Sequence, residues 1–191
     1  IGQGKKKLLY WSLMHGNEST TTKAVFDLLN LLTNEKCNII KQILEQSTLY
    51  IVPILSPDGA RAYTRLNYNE IDLNRDAQEK TQIESRIFEE IVERVQKDFA
   101  INLSGLRTIF STGNTNIPAT VSFLAPSGDK DRSVTPTRKI AMEIIVKMND
   151  VLQHFIPNGV GRYDDGFNLY CVGDTLTFMG IPTILFEAGH F

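Results

Sequence analysis

Two side chains that could share a metal ion, His15 and Glu18, stand where an apolar run ends. The run is Leu9-Tyr10-Trp11-Ser12-Leu13-Met14, and His15-Gly16-Asn17-Glu18 follows it directly. If the chain bends at Gly16, both side chains can turn toward one point. A neutral imidazole nitrogen and a carboxylate oxygen are an ordinary donor pair for zinc. The same four residues would equally suit a polar turn leading into a helix, with Glu18 favourably placed near a helix N-terminus. H-x-x-E alone does not decide between these readings. Other polar residues also sit behind apolar runs: Asp58 after Thr48–Leu55, Ser104 after Phe99–Leu103 and Glu187 after Pro182–Phe186. Charged and amide residues crowd the stretch from Arg61 to Arg75: Arg61, Arg65, Asn67, Asn69, Asp72, Asn74 and Arg75.

The elements that must position these residues are legible from periodicity. Leu8–Met14 and Thr48–Leu55 read as buried strands, the second ending at the turn signal Ser56-Pro57-Asp58-Gly59. Glu18–Leu32, with Val25, Leu28, Leu29 and Leu32 at helical spacing, predicts a helix, and Cys37–Glu45 a shorter one. Arg61–Arg75 shows neither period and reads as an irregular loop. Gln82–Gln96 predicts an amphipathic helix whose apolar face is Ile83, Ile87, Ile91 and Val95. Phe99–Leu103 and Ala119–Leu124 follow as strands. Thr135 caps a long helix with Pro136 in its first turn, and the expected apolar face is Ile140, Ile144, Met148, Leu152 and Phe155. Tyr163–Gly173 reads as a loop or edge strand, and Pro182–Phe186 as a last buried strand.

Strands that read as continuous apolar runs and alternate with amphipathic helices predict an α/β fold. The expectation is a twisted, mixed, largely parallel sheet with helices on both faces and Leu8–Met14, Thr48–Leu55, Phe99–Leu103 and Pro182–Phe186 among its central strands. In such folds ligands bind beyond the carboxyl ends of the strands. His15, Asp58, Ser104 and Glu187 all sit at that end.

Composition narrows the function classes. The chain has 191 residues, 42% of them hydrophobic and 22% charged, which suits one globular domain with a substantial core. A formal net charge of −2 offers no basic surplus for nucleic acid. Lys5-Lys6-Lys7 reads as a solvated strand entry. Cys37 and Cys171 are too few and too far apart for a disulfide framework or a cysteine metal site. No apolar run approaches membrane-spanning length. The opening on Ile1 and the end just after an apolar strand read as cuts in a longer domain, so residues 1–191 are expected to be one catalytic domain in part. The compartment is not legible.

Taken together, His15-x-x-Glu18, the Pro57-Asp58-Gly59 turn with Arg65 and Asp72-Leu73-Asn74-Arg75, and the closing Thr183–Glu187 strand resemble the zinc carboxypeptidases of the carboxypeptidase A type. The middle segment is the most specific part, and the resemblance runs over nearly the whole chain. It implies a mixed sheet flanked by helices and zinc as cofactor. It also implies a peptide, or another small molecule with a C-terminal carboxylate, as substrate, with neither nucleic acid nor membrane as partner. Position by position, His15 and Glu18 match the first two zinc ligands. Arg65 matches the arginine that polarises the scissile carbonyl, Asn74 and Arg75 the pair that holds the terminal carboxylate, and Glu187 the glutamate that activates the metal-bound water. A tyrosine of the specificity pocket corresponds to Tyr163 or Tyr170, with Tyr163 taken as the substrate-binding candidate. Asp174 would favour basic side chains if it faces that pocket.

One departure bears on all of this. The third zinc ligand of the family is a histidine at the end of a central strand. Here the matching stretch is Ile101-Asn102-Leu103-Ser104-Gly105, so Ser104 holds the position. Serine is not among the usual zinc ligands. His154 reads as helix surface, and His190 is the one other histidine that could approach. The expected activity is a metallocarboxypeptidase-type hydrolase removing C-terminal residues, with zinc weak or absent and turnover impaired. Two alternatives stand beside it: a metal-deficient pseudoenzyme that binds peptide C-termini, and a zinc amide hydrolase of N-acyl amino acids.

Overall fold

The computed structural model of the chain describes residues 1–34, 37–95, 97–106 and 109–189. Thirteen elements follow one another. They are β1 (Lys6–Ser12), α1 (Thr20–Leu32), α2 (Asn38–Gln46), β2 (Ser47–Val52), α3 (Pro57–Ala62) and a 3₁₀ turn at Leu73–Arg75, then α4 (Ile83–Arg94), β3 (Phe99–Gly105), β4 (Val121–Leu124), α5 (Pro136–Leu152), β5 (Val160–Arg162), α6 (Val172–Phe178) and β6 (Thr183–Ala188). Six strands form one sheet in the order β2-β1-β3-β6-β4-β5. All pairs are parallel except β4 with β6. The mixed, mostly parallel α/β sheet is therefore as expected. One placement is corrected: the strand predicted over Thr48–Leu55 forms as β2, but at the edge of the sheet, because it pairs with β1 alone.

Alternation along the strands sorts side chains onto two buried faces. Leu9, Trp11 and Ala100 point to one face, under Phe88 and Val92 of α4 and Val172 and Leu176 of α6. Trp11 and Phe88 stack with ring centroids 5.0 Å apart. Phe99, Ile101, Val121, Phe123 and Ile184 point to the other face, under Ala141, Ile144 and Met148 of α5. Leu32 of α1 and Ile40 of α2 cover Leu49 beside it. Fully buried Trp11, Leu9 and Ile184 mark the centre.

The helical faces differ in part from the sequence pattern. In α4, Ile83 and Ile87 are exposed, whereas Phe88 and Val92 are buried. Four residues turn an α-helix by about 400°. An every-four row therefore winds around the axis, and only its later members, Ile91 and Val95, reach the core. The α5 row behaves alike: Ile144, Met148 and Leu152 pack inward, while Ile140 and Phe155 at its two ends are exposed. Pro57-Asp58-Gly59, expected as a turn, forms the first turn of the short helix α3. Within Tyr163–Gly173 the chain is mostly loop: the edge strand β5 precedes it, and α6, which periodicity did not show, begins at Val172.

Candidate active site

The carboxyl ends of β1, β3 and β6 open onto a crevice of about 650 Å³. His15, Glu18, Arg65, Asn74, Arg75, Ser104, Tyr163 and Glu187 all line it. Tyr170 is half exposed and His154 is exposed on the turn after α5. His190 lies outside the described residues.

The turn after β1 is set by backbone geometry. Leu13 adopts a left-handed conformation (φ 52°), which a residue with a β-carbon takes only under constraint. Leu55 and Ser56 N–H groups donate to the carbonyls of Ser12 and Leu13 at 3.1 and 2.9 Å, so this turn is tied to the segment entering α3. Gly16 then lies directly against Gly59. A β-carbon at Gly16 would meet the Gly59 carbonyl carbon at 1.8 Å. The absence of a side chain here lets the H-x-x-E turn sit on the Pro57-Asp58-Gly59 turn.

His15 and Glu18 are both buried, with His15 Nδ1 3.0 Å from Glu18 Oε1. His15 Nε2 lies 3.1 Å from Asp72 Oδ1. Burial works against a charged ring, but the hydrogen bonds to Asp72 and Glu18 outweigh it and raise the basicity of His15. Asp72 is the organising carboxylate. It accepts from Arg65 Nε and Nη2 at 3.1 and 3.0 Å and from the Asn74 backbone N–H at 2.9 Å. Burial alone would raise its pKa. The His15 hydrogen bond and the charges of His15 and Arg65 overcome that and hold the carboxyl far below its usual range.

Arg65 reaches further. Its Nη1 lies 3.2 Å from Glu18 Oε1 and 3.3 Å from His15 Nδ1. The guanidinium therefore contacts both of the atoms that would have to share a metal. Ser104 donates its hydroxyl hydrogen to Glu18 Oε2, and the Gly105 N–H donates to the same oxygen at 3.2 Å. Glu18 thus has both oxygens engaged by the protein itself.

Glu187 is held differently. It occupies the β6 rung between Ser104 of β3 and Ser122 of β4. It is buried, and among the described residues its Oε2 has no hydrogen-bond partner. Burial first, then the nearby Glu18 charge, push its pKa up to about 7. Asn102, two residues before Ser104 on the same face of β3, is also buried and leaves Oδ1 unpartnered among the described residues. Asn74 accepts from the Val172 N–H through Oδ1 at 3.1 Å, which leaves its amide nitrogen as a donor for a ligand. Arg75 Nη1 donates to the Asn74 carbonyl at 3.1 Å, while the side chain stays exposed at the crevice. Tyr163 is about one-third exposed. Asp174 lines the inner wall, but its Oδ2 accepts from the Asn168 N–H at 2.9 Å, so it serves the wall itself.

Sequence reasoning missed two site residues. Asp72 stood inside the quoted Asp-Leu-Asn-Arg run, and an acid that precedes two ligand-holding residues and a helical turn was a usable signal. Asn102 gave a weaker one, as a lone amide in an otherwise apolar strand.

A zinc ion does not fit the donors as they stand. Of the three positions that match the family's zinc ligands, only His15 and Glu18 bear suitable atoms. Those atoms are engaged with each other and with Arg65, and Ser104 supplies a hydroxyl already committed to Glu18. Among the described residues no group of three His, Cys, Asp or Glu is placed to hold a metal ion.

Residues 2–90 match the family described as zinc carboxypeptidase. No curated protein matches the chain by sequence. Among solved structures, a metallo-carboxypeptidase from Pseudomonas aeruginosa in complex with (2-guanidinoethylmercapto)succinic acid superposes with a TM-score of 0.77 at 20% identity, covering 99% of this chain and 49% of its own. A metallo-carboxypeptidase from Burkholderia cenocepacia gives a TM-score of 0.76 at 16% identity, covering 99% and 50%. The murein-tripeptide amidase of Escherichia coli gives 0.57 at 14% identity, covering 98% and 74%. The chain thus spans about half the length of the carboxypeptidase structures it matches. At these identities the likeness is one of fold. Among the described residues no helix is long and apolar enough to cross a membrane.

Proposed function

From a chain that resembles the zinc carboxypeptidases in sequence over residues 2–90 and in fold over nearly its whole length, we propose a metallocarboxypeptidase-type site. It receives the C-terminal residue of a peptide, and its hydrolytic step is impaired because Ser104 stands where a third metal donor is needed. The observation that supports this most directly is the pairing of Asn74 and Arg75 at the crevice beside Glu187. Arg75 presents an exposed guanidinium able to grip a carboxylate through two parallel hydrogen bonds. Val172 fixes the Asn74 amide so that its NH₂ is the free end. Tyr163 covers the bound residue from the opposite loop. Zinc, when a site can hold it, supplies a polarised water and carbonyl; here only His15 and Glu18 would serve it.

The roles left to the chain itself are binding, charge and proton transfer. The buried Glu187 carboxyl, with a pKa of about 7 and an open Oε2, can accept a proton from an attacking water near neutral pH and return it to a leaving amine. Arg65 is the guanidinium nearest the reacting position. In this structure it is tied to Asp72 and Glu18, so stabilising an oxyanion would require it to swing away. The fold shared with a murein-tripeptide amidase supports a second reading, hydrolysis of an amide of an N-acyl amino acid at the same crevice.

The test is calorimetric binding of an N-acyl amino acid against its C-terminal amide. The carboxylate form should bind and the amide should bind at least tenfold more weakly, since a charge-assisted pair is worth about 1.5–3 kcal/mol. Equal binding of both forms, or of neither, would refute the carboxylate clamp. A peptidase assay on acyl dipeptides then reads the residual turnover.

A further inference from the structure

We propose that Arg138, which does not line the crevice, is a positioning residue that fixes the strap Tyr163–Asn168 as the crevice's outer wall. The inference rests on the reading of the crevice as a carboxylate-binding site. Tyr163, Asp164, Gly166 and Asn168 of the strap all face the crevice. The strap has no regular structure of its own. Its shape must therefore come from what holds it behind.

Arg138 lies in the first turn of α5, where Thr135 Oγ1 accepts its backbone N–H at 3.2 Å. Its side chain is 97% buried, since only 3% stays exposed. A buried cation near a helix N-terminus is doubly unfavourable, through desolvation and through the helix dipole. It is sustained by three acceptors from two segments, the loop between β4 and α5 and the strap. Nη2 pairs with Asp165 Oδ2 at 2.6 Å, Nε donates to the Ala125 carbonyl at 3.0 Å, and Nη1 donates to the Arg132 carbonyl at 2.6 Å. One guanidinium thus joins α5, the loop after β4 and the middle of the strap. Ser127, fully buried, adds a hydrogen bond from its hydroxyl to the Asp165 carbonyl at 3.1 Å. The strap's ends are fixed separately, by Tyr163 N–H to the Phe123 carbonyl at 2.9 Å and by Asn168 N–H to Asp174 at 2.9 Å. Arg132 and Arg162 also reach Asp165, at 3.4 and 3.3 Å, but their side chains are largely exposed and contribute little. Of the three arginines around Asp165, only Arg138 is sealed from water. The orientation of Tyr163 and Asp164 toward a ligand accordingly depends on a contact on the far side of the strap.

Three variants and a control test this: Arg138→Met, Arg138→Lys and Asp165→Asn, with Arg162→Ala for the exposed arm. Each is measured for affinity toward an N-acyl amino acid, for amide hydrogen exchange along the chain and for melting temperature. Arg138→Met should weaken binding about tenfold, since misplaced positioning groups act on that scale or above. Exchange should rise selectively over residues 163–168. Arg138→Lys keeps the charge and should recover part of the loss, and Arg162→Ala should stay within about twofold of the parent. If Arg138→Met does not fold, Arg138→Lys and Asp165→Asn carry the same comparison. Unchanged affinity in the folded variants overturns the proposal. So does an exchange increase spread evenly over the sheet, which would mark Arg138 as a support of the core alone. If the parent binds no acyl amino acid, the carboxylate reading has failed instead. Selective exchange over 163–168 then decides whether Arg138 holds the strap.

Discussion

Changing Ser104 to histidine should raise the affinity of this site for zinc. The parent offers two suitable donors, His15 Nδ1 and Glu18, and both are occupied within the protein. Structural zinc sites with four protein donors gain about 10–16 kcal/mol, so one donor is worth about 3 kcal/mol. That corresponds to an affinity difference on the order of 100-fold. Against this gain stands the lost Ser104–Glu18 hydrogen bond, about 1–2 kcal/mol, while Arg65 has to leave His15 and Glu18 in either protein. Space is available on the crevice side, because about 650 Å³ opens there. It is tight on the Gly105 side, where an added β-carbon would come within 3.3 Å of the Glu18 Cβ. The net expectation is a gain of about 5- to 30-fold in zinc affinity, read by competition against a chromophoric chelator at neutral pH. Acyl-dipeptide hydrolysis should appear in the same variant. One-to-one zinc binding by the parent at submicromolar affinity would refute the donor count, and His190, outside the described residues, would be the next residue to replace. A Ser104→His protein that folds but gains no metal would show that position 104 is not where the third donor belongs.

Three further outcomes follow from the geometry. Arg75→Ala should weaken binding of an N-acyl amino acid by about 10- to 100-fold while leaving the melting temperature nearly unchanged, because the side chain is exposed and holds only a carbonyl. Gly16→Ala places a β-carbon 1.8 Å from the Gly59 backbone, so one turn must move. A cost of about 3 kcal/mol, or a melting temperature lower by about 10 °C, is expected by calorimetry, and an unshifted transition would contradict the close approach. Asp165 is held below the usual carboxylate range, first by the Arg138 hydrogen bond, so its contribution is present above the unfolded pKa of about 4 and disappears as pH falls through the depressed folded value. The destabilisation caused by Asp165→Asn should accordingly be large in urea melts at pH 7 and shrink at strongly acidic pH; a penalty independent of pH would remove the charge from the explanation.

The positions of the chemistry were legible because they obey simple rules. Apolar runs stop where polar residues begin, and in a parallel sheet those stops share one edge, which is why His15, Ser104 and Glu187 meet. What pattern could not show is which group satisfies which. The bond from His15 Nε2 to Asp72 spans 57 positions, and the Arg65 contacts to His15 and Glu18 span comparable distances, so no local spacing announces them. Arg138 carried no local signal, because burial of its charge depends on Asp165 arriving from another loop. The edge position of β2 was hidden for a similar reason: apolar content reports burial between layers, and an edge strand covered by α1 and α2 looks like a central one. The expected row of isoleucines in α4 failed through the arithmetic of helical turn rather than through any unusual residue.

The strand order carries a consequence for how the molecule is made. β6 lies between β3 and β4, which precede it in the chain and are synthesised before it. Until it inserts, the sheet is two separate pieces: β2-β1-β3, and β4 with β5. The rung that places Glu187 beside Ser104 does not yet exist, although His15, Glu18 and Arg65 can already be close. Such late, long-range closure is slow, and it leaves the facing edges of β3 and β4 open to wrong partners while it is pending. A ribosome-bound chain stalled before Thr183, with residues through Arg162 clear of the ribosome, should therefore show β1 and β4 protected in two independently opening pieces, and synthesis of β6 should join them into one cooperative sheet.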